Sequence, residues 1–298
     1  MPARTDLTFL SAGVPCAAWL FTPEDAGERP HGIVVMGHGL GLTRRAGLER
    51  YARRFSEAGL AVLVFDYRGF GDSGGSPRET VHVRRQLADW RAAVATARSL
   101  PGVDPARVAV WGTSFAGGHV LRIAAEDPAI AAVVAQCPFT DGLASAARLW
   151  PGALLRLLPP LLDDLLRAAT GRPPRMVAAA ADPGTPALMT GGDARAGYEA
   201  LTEDGTPPAN RLAARSGLSI LAYRPGTAAR RIRVPLLVHL CREDALAPAG
   251  TSRRHVGRAA DPHIVEAPVG HFEIYQGEHF DRTVTEQTAF LRRTLTAP

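Results

Sequence analysis

A serine between small residues is the strongest chemical signal in this sequence. Residues 112–117 read Gly-Thr-Ser-Phe-Ala-Gly, after an apolar run and before apolar residues at helical spacing. A serine on such a tight strand-to-helix turn is exposed as a nucleophile. Small neighbours are needed because strand and helix approach closely there. Ala116 stands where the usual pattern has glycine, and we expect this small side chain to fit. Ser114 is the predicted nucleophile.

A serine hydroxyl is a weak nucleophile until a base takes its proton, and the base is normally a histidine oriented by a carboxylate. Asp244 follows the apolar run 235–240, and His271 follows the next apolar run along the chain. Gly270 leaves space for a loop histidine to reach inward. We therefore expect Ser114, Asp244 and His271 to form a catalytic triad.

Other carboxylates could supply the acid. Glu243 is the immediate neighbour of Asp244, and Asp141 comes shortly after the strand predicted to end at Cys137. An ordinary solvated loop carboxylate is the alternative interpretation for any of them. Asp244 is preferred because it lies directly after a predicted strand and precedes a proline by four residues.

The reaction also needs hydrogen-bond donors for the oxyanion that forms on the carbonyl oxygen. The backbone N–H of Phe115, next to the nucleophile, is the first candidate. Residues 37–41, Gly-His-Gly-Leu-Gly, follow a buried apolar run, and their glycines allow an amide to turn toward the serine. We expect the Leu40 N–H to be the second donor, with Gly39 as the alternative. His38 and Gly39 are also expected to contact the substrate.

A framework of alternating strands and helices must position these residues. Continuous apolar runs between amphipathic segments are typical of a mostly parallel sheet covered by helices on both faces. The predicted strands are 6–10, 15–21, 33–36, 60–65, 108–111, 130–137, 234–240 and 264–265. The predicted helices are 44–58, 79–99, the segment after Ser114, and 281–295.

Residues 139–230 break this alternation and are far longer than an ordinary connection. We predict a core formed by residues 1–138 and 231–298 with 139–230 as a lid insertion. The first part of the insertion is rich in leucine and indicates a helical lid, so Leu149 and Leu154 are expected to bind an apolar substrate. Residues 178–192, rich in alanine, glycine and proline, are expected to form a loop.

A family resemblance follows from two motifs. Residues 66–75, Asp-Tyr-Arg-Gly-Phe-Gly-Asp-Ser-Gly-Gly, resemble the post-strand loop D-x-R-G-x-G-x-S-x-G of the α/β-hydrolase superfamily. With the Ser114 motif, the chain is similar to a bacterial branch that includes dienelactone hydrolase-like and X-Pro dipeptidyl-peptidase-like esterases and polyketide acyltransferases. The resemblance implies an α/β-hydrolase fold, with a mostly parallel eight-stranded sheet flanked by helices and a helical lid. It also implies the order serine, acid, histidine, and a structural role for Ser73.

Composition limits the classes of partner. The 298 residues carry a formal net charge of +5, but the arginines are scattered among acidic residues and form no basic stripe for nucleic acid. No uncharged apolar run is long enough to span a membrane, and the first residues lack a signal-peptide core. Three widely spaced cysteines indicate neither a disulfide framework nor a metal site. We expect a cytoplasmic monomer or homodimer that needs no metal or cofactor.

The predicted activity is hydrolysis of an ester, thioester or lactone of a largely apolar small molecule through an acyl-enzyme on Ser114. An acyltransferase of secondary metabolism could use the same triad, as could a non-hydrolytic catalyst of cyclisation.

Because His271 must be neutral to accept a proton, kcat/KM is expected to fall on the acid side, near the ordinary histidine pKa of about 6.5.

Overall fold

The structure is a computed structural model that describes residues 2–24, 30–149, 152–202 and 205–296. Each of the two predicted units, the core and the insertion, therefore includes a few residues outside the described part. The strands in chain order are β1 (Ala3–Ser11), β2 (Val14–Thr22), β3 (His31–Gly37), β4 (Ala61–Phe65), β5 (Val103–Thr113), β6 (Ala132–Gln136), β7 (Met176–Ala180), β8 (Ala187–Met189), β9 (Leu212–Ala213), β10 (Leu236–Cys241) and β11 (Pro262–Ala267).

The helices alternate with these strands over most of the chain. In the described residues, 3-10 turns at Pro225–Arg231 and Glu273–Tyr275 supplement them. In chain order the α-helices are α1 (Leu48–Glu57), α2 (Val83–Ser99), α3 (Phe115–Glu126), α4 (Gly142–Ala146), α5 (Ala153–Ala169), α6 (Ala194–Glu199), α7 (Ser216–Ala222), α8 (Ala249–Val256) and α9 (Gly277–Leu295).

Within the described residues, eight strands form one sheet in the order β1-β2-β4-β3-β5-β6-β10-β11. The pairs from β4 to β11 are parallel, while β1 with β2 and β2 with β4 are antiparallel. The predicted mostly parallel, eight-stranded sheet is confirmed. Strands β4 and β6 are buried along their whole length, which explains their continuous apolar sequences.

Helices cover both faces of the sheet. The Trp111 indole N–H donates to Gln287 of α9 at 2.9 Å, whereas Gly37 packs against Trp90 of α2. Gly37 pairs with Gly112, the residue that follows Trp111 in β5. Because successive strand residues point to opposite faces, α9 and α2 lie on opposite sides of the sheet.

Two helices begin later than the sequence pattern predicts. Helix α1 begins at Leu48 rather than at residue 44, because Gly47 has a φ of 76° in the left-handed region. Helix α2 begins at Val83 rather than at residue 79, where Glu79 has a φ of 52°. A left-handed residue cannot continue a right-handed helix, so each marks a turn before the helix.

The long segment between β6 and β10 contains helices and a second sheet. Strands β7, β8 and β9 form this sheet in the order β8-β7-β9, so the expectation of a loop over residues 178–192 was wrong for 178–180 and 187–189, which are strand. Asn210 explains part of the difference, because its side-chain amide donates to the Ala180 carbonyl and accepts from the Ala180 N–H, each at 2.8 Å. This partner lies thirty positions away, so local composition could not reveal it.

Helix α5 carries the leucine-rich stretch that was expected to form a lid. It continues through Pro159 and Pro160, although each proline lacks the N–H of an intrahelical bond. Among the described residues, no helix has the length and apolar composition needed to cross a membrane.

Candidate active site

Ser114 lies on a strained turn between β5 and α3. Its φ of 54° and ψ of −117° fall in a region that non-glycine residues rarely adopt. Two backbone hydrogen bonds hold the turn: the Ser114 N–H donates to Gln136 at 2.9 Å, and the Ser114 carbonyl accepts from Phe139 at 2.8 Å. The end of β6 therefore supports the conformation that projects the serine hydroxyl.

The glycines around this turn have no room for a side chain. A Cβ on Gly112 would overlap the carbonyl group of Ala116, and a Cβ on Gly117 would lie 2.9 Å from the Cα of Pro138. Ala116 itself is fully buried, so its methyl group is accommodated in the core. The departure from glycine at position 116 thus falls where a small side chain fits.

A matched pair of variants tests this account of the turn. We expect Ala116→Gly to retain activity and to lower the free energy of unfolding by about 1 kcal/mol, because glycine is a poorer helix former. Gly112→Ala should lose ester turnover and about 1–3 kcal/mol of stability, because the new methyl group forces the backbone apart. Urea unfolding and steady-state kinetics measure both. Equal effects of the two substitutions would contradict the account.

The structure brings together the three side chains that the sequence placed on separate loops. The Nε2 atom of His271 lies 3.0 Å from Ser114 Oγ, and its Nδ1 atom lies 2.6 Å from Asp244 Oδ2. His271 follows β11 and Asp244 follows β10, so both come from the same edge of the sheet as Ser114. His271 and Asp244 are almost completely buried.

Asp244 is fixed by its own loop. Its Oδ1 atom accepts the backbone N–H groups of Leu246 at 2.8 Å and Ala247 at 2.6 Å, which leaves Oδ2 for His271. Since a carboxylate can only accept, the Nδ1 atom of His271 carries the proton and Nε2 has a free lone pair. This tautomer lets Nε2 accept the Ser114 proton.

Burial and charge act on His271 in opposite directions. Burial alone would lower the pKa of His271, but the Asp244 carboxylate, the Cys137 sulfur and the Asp193 carboxylate raise it to about 9. The paired imidazolium is therefore stabilised. As a result, the acid limb of kcat/KM is expected above the value of 6.5 inferred from an unperturbed histidine.

The alternative acids have other surroundings. Glu243 is exposed at the surface. Asp141 caps α4 through the N–H groups of Leu143 and Ala144 and accepts from Arg224 Nε at 2.8 Å. Ser73, for which the family resemblance implies a structural role, donates its hydroxyl proton to the Asp66 carbonyl at 2.7 Å and so holds its loop together.

The loop after β3 lies directly against Ser114. A Cβ on Gly39 would be 3.3 Å from Ser114 Cβ, so only glycine allows this approach without displacement. The Gly39 carbonyl accepts from His38 Nδ1 at 2.9 Å and from the Leu42 N–H at 3.4 Å. Because carbonyl and N–H point in opposite directions across a trans peptide, these bonds turn the Leu40 N–H away from His38.

Two backbone N–H groups remain available beside the serine. Phe115 begins α3, and the first N–H groups of a helix have no intrahelical acceptor. Within the described ranges, the Leu40 N–H donates to no acceptor. Both residues contribute to the wall of the cavity that contains Ser114. Both N–H groups therefore lie beside Ser114, where the sequence predicts oxyanion donors.

His38 has a different position from the one expected. Its ring is buried against Tyr67, with centroids 4.5 Å apart, and it is absent from the cavity wall. Burial lowers the pKa of His38, so the ring is neutral. The assignment of His38 to substrate binding is therefore corrected: its contact is with the Gly39 carbonyl. Gly39 also lies outside the cavity wall, although its backbone touches Ser114.

An apolar cavity of about 360 Å³ opens beside Ser114 and His271. Leu149 and Leu154, expected to bind substrate, both lie in its wall, and among the described residues Ser114, Ser145 and His271 are its polar side chains. The wall combines the core with the insertion and consists of Leu40, Ser114, Phe115, Phe139, Gly142, Ser145, Ala146, Leu149, Leu154, Leu155, Leu157, Leu158, Leu161, Leu188, Met189, Ala214, Gly217, Leu218, Ile220, Leu221, Ala245, Leu246, Ala247 and His271. An alkyl or acyl chain suits these surroundings.

A buried polar network supports α3 behind the site. His119 Nδ1 lies 2.8 Å from the Tyr223 hydroxyl, and its Nε2 lies 3.1 Å from Gln86 Oε1. Burial lowers the pKa of His119 to about 3, so this ring stays neutral. The Tyr223 and Phe139 rings both contact Phe115, which places the network beneath the first residue of α3.

Sequence reasoning missed the residues that the middle of the insertion contributes. Leu188 and Met189 of β8 line the cavity, and Asp193 lies close to the histidine loop. The apolar Ala187–Met189 run was the available signal, but nothing local indicated its partner strand.

In the described residues, no group of three or more His, Cys, Asp or Glu could hold a metal ion.

The sheet order, the helices on both faces and the turn after β5 are those of an α/β hydrolase. Residues 28–266 match the family described as serine aminopeptidase, S33. This match spans more than half of the chain, and the protein belongs to that family. It is an enzyme of the α/β-hydrolase type.

Known relatives agree with this class. The chain is similar to the quorum-quenching protein AidA of Acinetobacter baumannii (strain MDR-ZJ06), with 46% identity over 291 residues, 98% of this chain and 95% of that protein. A thiohydrolase of Eupenicillium brefeldianum is 25% identical over 289 residues, covering 94% and 91% of the two chains. The crystal structure of the α/β hydrolase GrgF from Penicillium sp. sh18 aligns with a TM-score of 0.83 at 23% identity, over 99% of this chain and 100% of that chain.

Proposed function

We propose that the protein is a serine hydrolase that cleaves an ester, thioester or lactone of a largely apolar substrate through an acyl-enzyme on Ser114. The observation that carries this proposal is the chain of contacts from Ser114 Oγ through His271 to Asp244, with distances of 3.0 Å and 2.6 Å. This chain borders an apolar cavity large enough for an acyl group.

Acylation begins when Ser114 Oγ attacks the carbonyl carbon of the substrate. The Oγ proton moves to His271 Nε2, and Asp244 stabilises the imidazolium. The carbonyl oxygen becomes an oxyanion that accepts the N–H groups of Leu40 and Phe115. As the tetrahedral intermediate collapses, His271 returns the proton to the leaving oxygen or sulfur, and the bond between the carbonyl carbon and that atom breaks.

Deacylation repeats the same steps with water as the nucleophile. His271 takes a proton from the water, whose oxygen attacks the acyl carbonyl carbon on Ser114. The bond to Oγ then breaks, and the proton returns to Oγ. The products are a carboxylic acid and the free enzyme. With a lactone, the leaving oxygen stays attached to the acyl group, so the product is one hydroxy acid.

The relatives support a hydrolytic reaction on a substrate with an acyl group. One is named a thiohydrolase, which supports a thioester, and the other is named a quorum-quenching protein, which supports the destruction of a signal molecule. The leucines of α5 and the wall around Leu188 favour an alkyl chain over a charged or peptide substrate.

Acyl transfer is the second candidate. Besides Ser114 and His271, the described part of the cavity wall offers one polar side chain, Ser145, so a deacylating water has few partners there. A bound alcohol or amine, or a hydroxyl of the acyl chain itself, could take its place and give transfer or cyclisation.

Trapping the acyl-enzyme tests the proposal. With p-nitrophenyl decanoate, we expect the intact mass to increase by one acyl group, located on the peptide that contains Ser114, and free decanoic acid as the product. Added butanol leaves the acid as the main product if water deacylates the enzyme, and yields butyl decanoate if transfer dominates. Absence of any adduct under single-turnover conditions, with no acid released, would contradict the proposal.

A further inference from the structure

A short segment of the insertion, Gly191–Tyr198, contacts three of the loops that carry the active site. Gly191 packs against Ala245 and Leu246 of the acid loop. Two further contacts come from α6. Gly197 packs against the ring of Phe272, beside His271, and a Cβ added to Gly41 in the loop after β3 would lie 3.0 Å from the Tyr198 hydroxyl. This cap segment, residues 191–198, therefore sits directly on the catalytic loops.

Asp193 occupies a distinctive place in the cap segment. It directly precedes α6, where aspartate is among the best capping residues, yet its side chain makes no capping hydrogen bond. Its Oδ2 atom lies instead beside Gly270, the residue before His271, where a Cβ added to the glycine would be 3.2 Å away. The nearby Arg195 binds Asp182 at 2.9 Å, so that cation has another partner.

We propose that Asp193 is a second carboxylate for His271, supplied by the insertion, which stabilises the imidazolium formed when Ser114 is deprotonated. This inference rests on the proposed role of His271 as the base. Asp193 acts through His271 and does not contact the reacting atoms, so it is a positioning residue. Its carboxylate adds to that of Asp244, which holds Nδ1 directly at 2.6 Å.

The other groups around His271 limit the size of this effect. Asp244 faces it from the acid loop, Cys137 from the end of β6, and Asp193 from the cap segment. Glu273, on the same loop as His271, accepts the Gly270 N–H at 2.6 Å. Asp193 is half-buried, so water and salt weaken its field more than that of the buried Asp244.

Asp193→Asn tests the role while preserving the shape of the side chain. We expect the pKa of His271 to fall by about half a unit, roughly a threefold loss of proton affinity, because a nearby negative charge is removed. NMR titration of the His271 ring in the substrate-free protein measures this shift without any turnover. Asp182→Asn, on the same insertion and paired with Arg195, is the matched control and should leave the titration unchanged.

The kinetic profile separates an electrostatic role from a structural one. In Asp193→Asn the acid limb of kcat/KM should move to lower pH while the plateau falls about twofold to threefold, since the imidazolium loses stabilisation. The difference from the wild-type protein should shrink at high salt. A lower plateau with an unmoved limb and an unmoved NMR titration would overturn the proposal. A shifted His271 titration in a protein without esterase activity would support the role of Asp193 but contradict the proposed hydrolase function.

Discussion

Replacement of Ser114 by alanine is expected to lower kcat for p-nitrophenyl esters by about 10⁶-fold, since loss of a triad serine removes the acyl-enzyme route. The hydroxyl is the only part of the side chain that is lost, and its Oγ atom lies 3.0 Å from His271 Nε2. The variant should also fail to react with a fluorophosphonate probe. Steady-state kinetics and intact-mass spectrometry measure these two effects.

Ser73→Ala is the matched control for this substitution. Ser73 resides in the glycine-rich loop after β4, and its hydroxyl accepts from the Ala17 N–H at 2.8 Å. The variant should therefore lose about 1 kcal/mol of stability yet keep its reaction with the probe. Labelling that persists in Ser114→Ala and disappears in Ser73→Ala would show that Ser73, and not Ser114, is the nucleophile.

Asp244→Asn is expected to lower kcat/KM by about 10⁴-fold through the wrong tautomer of His271. The Oδ1 position accepts the N–H groups of Leu246 and Ala247, so the amide oxygen of asparagine must stay there. The amide NH₂ group then faces His271 Nδ1, which must accept. The imidazole proton is consequently on Nε2, where it cannot take the proton of Ser114.

The same variant should move the acid limb of the pH profile. As the proposed base, His271 must be neutral, so we expect kcat/KM to rise as pH increases through its pKa, which the surrounding charges raise to about 9. Without the Asp244 carboxylate that pKa falls, and the residual activity should titrate at lower pH than in the wild-type protein. Glu243→Gln, at the exposed neighbouring position, should change neither rate nor profile. Near-normal activity in Asp244→Asn would contradict the role of Asp244 as the acid, and Asp141→Asn would then test the alternative carboxylate.

The sequence predicted the parts of the site whose signals are local. The turn at Ser114 and the loop at Asp244 each follow a buried, largely apolar run, whereas the loop at His271 follows the half-buried strand β11. All three strands belong to the parallel part of one sheet. Because parallel strands end at a common edge, residues far apart in sequence meet there. Their order along the chain was therefore enough to anticipate which side chains converge.

The structure of the insertion was harder to predict from the sequence, because it depends on contacts between residues far apart in the chain. Strand β7 consists largely of alanine, which favours helices, and it is held by Asn210 and by its neighbours in the small sheet. Asp193 is a single acidic residue in a glycine-rich stretch, and only the fold brings it to Gly270. His38 carried the signal of a polar loop residue, but the Tyr67 ring buries it beneath the loop.

The contacts of the cap segment have a consequence for exchanging substrate specificity between relatives. Replacement of all of residues 139–230 would also remove Gly197, which packs against Phe272, and Tyr198, which contacts Gly41. A chimera designed to accept a new acyl group should therefore keep residues 191–198 of this protein. It should take only helix α5 and strand β8 from the relative. We therefore expect working chimeras to need boundaries that keep the contacts with the loops at Asp244 and His271, and not boundaries at the two ends of the insertion.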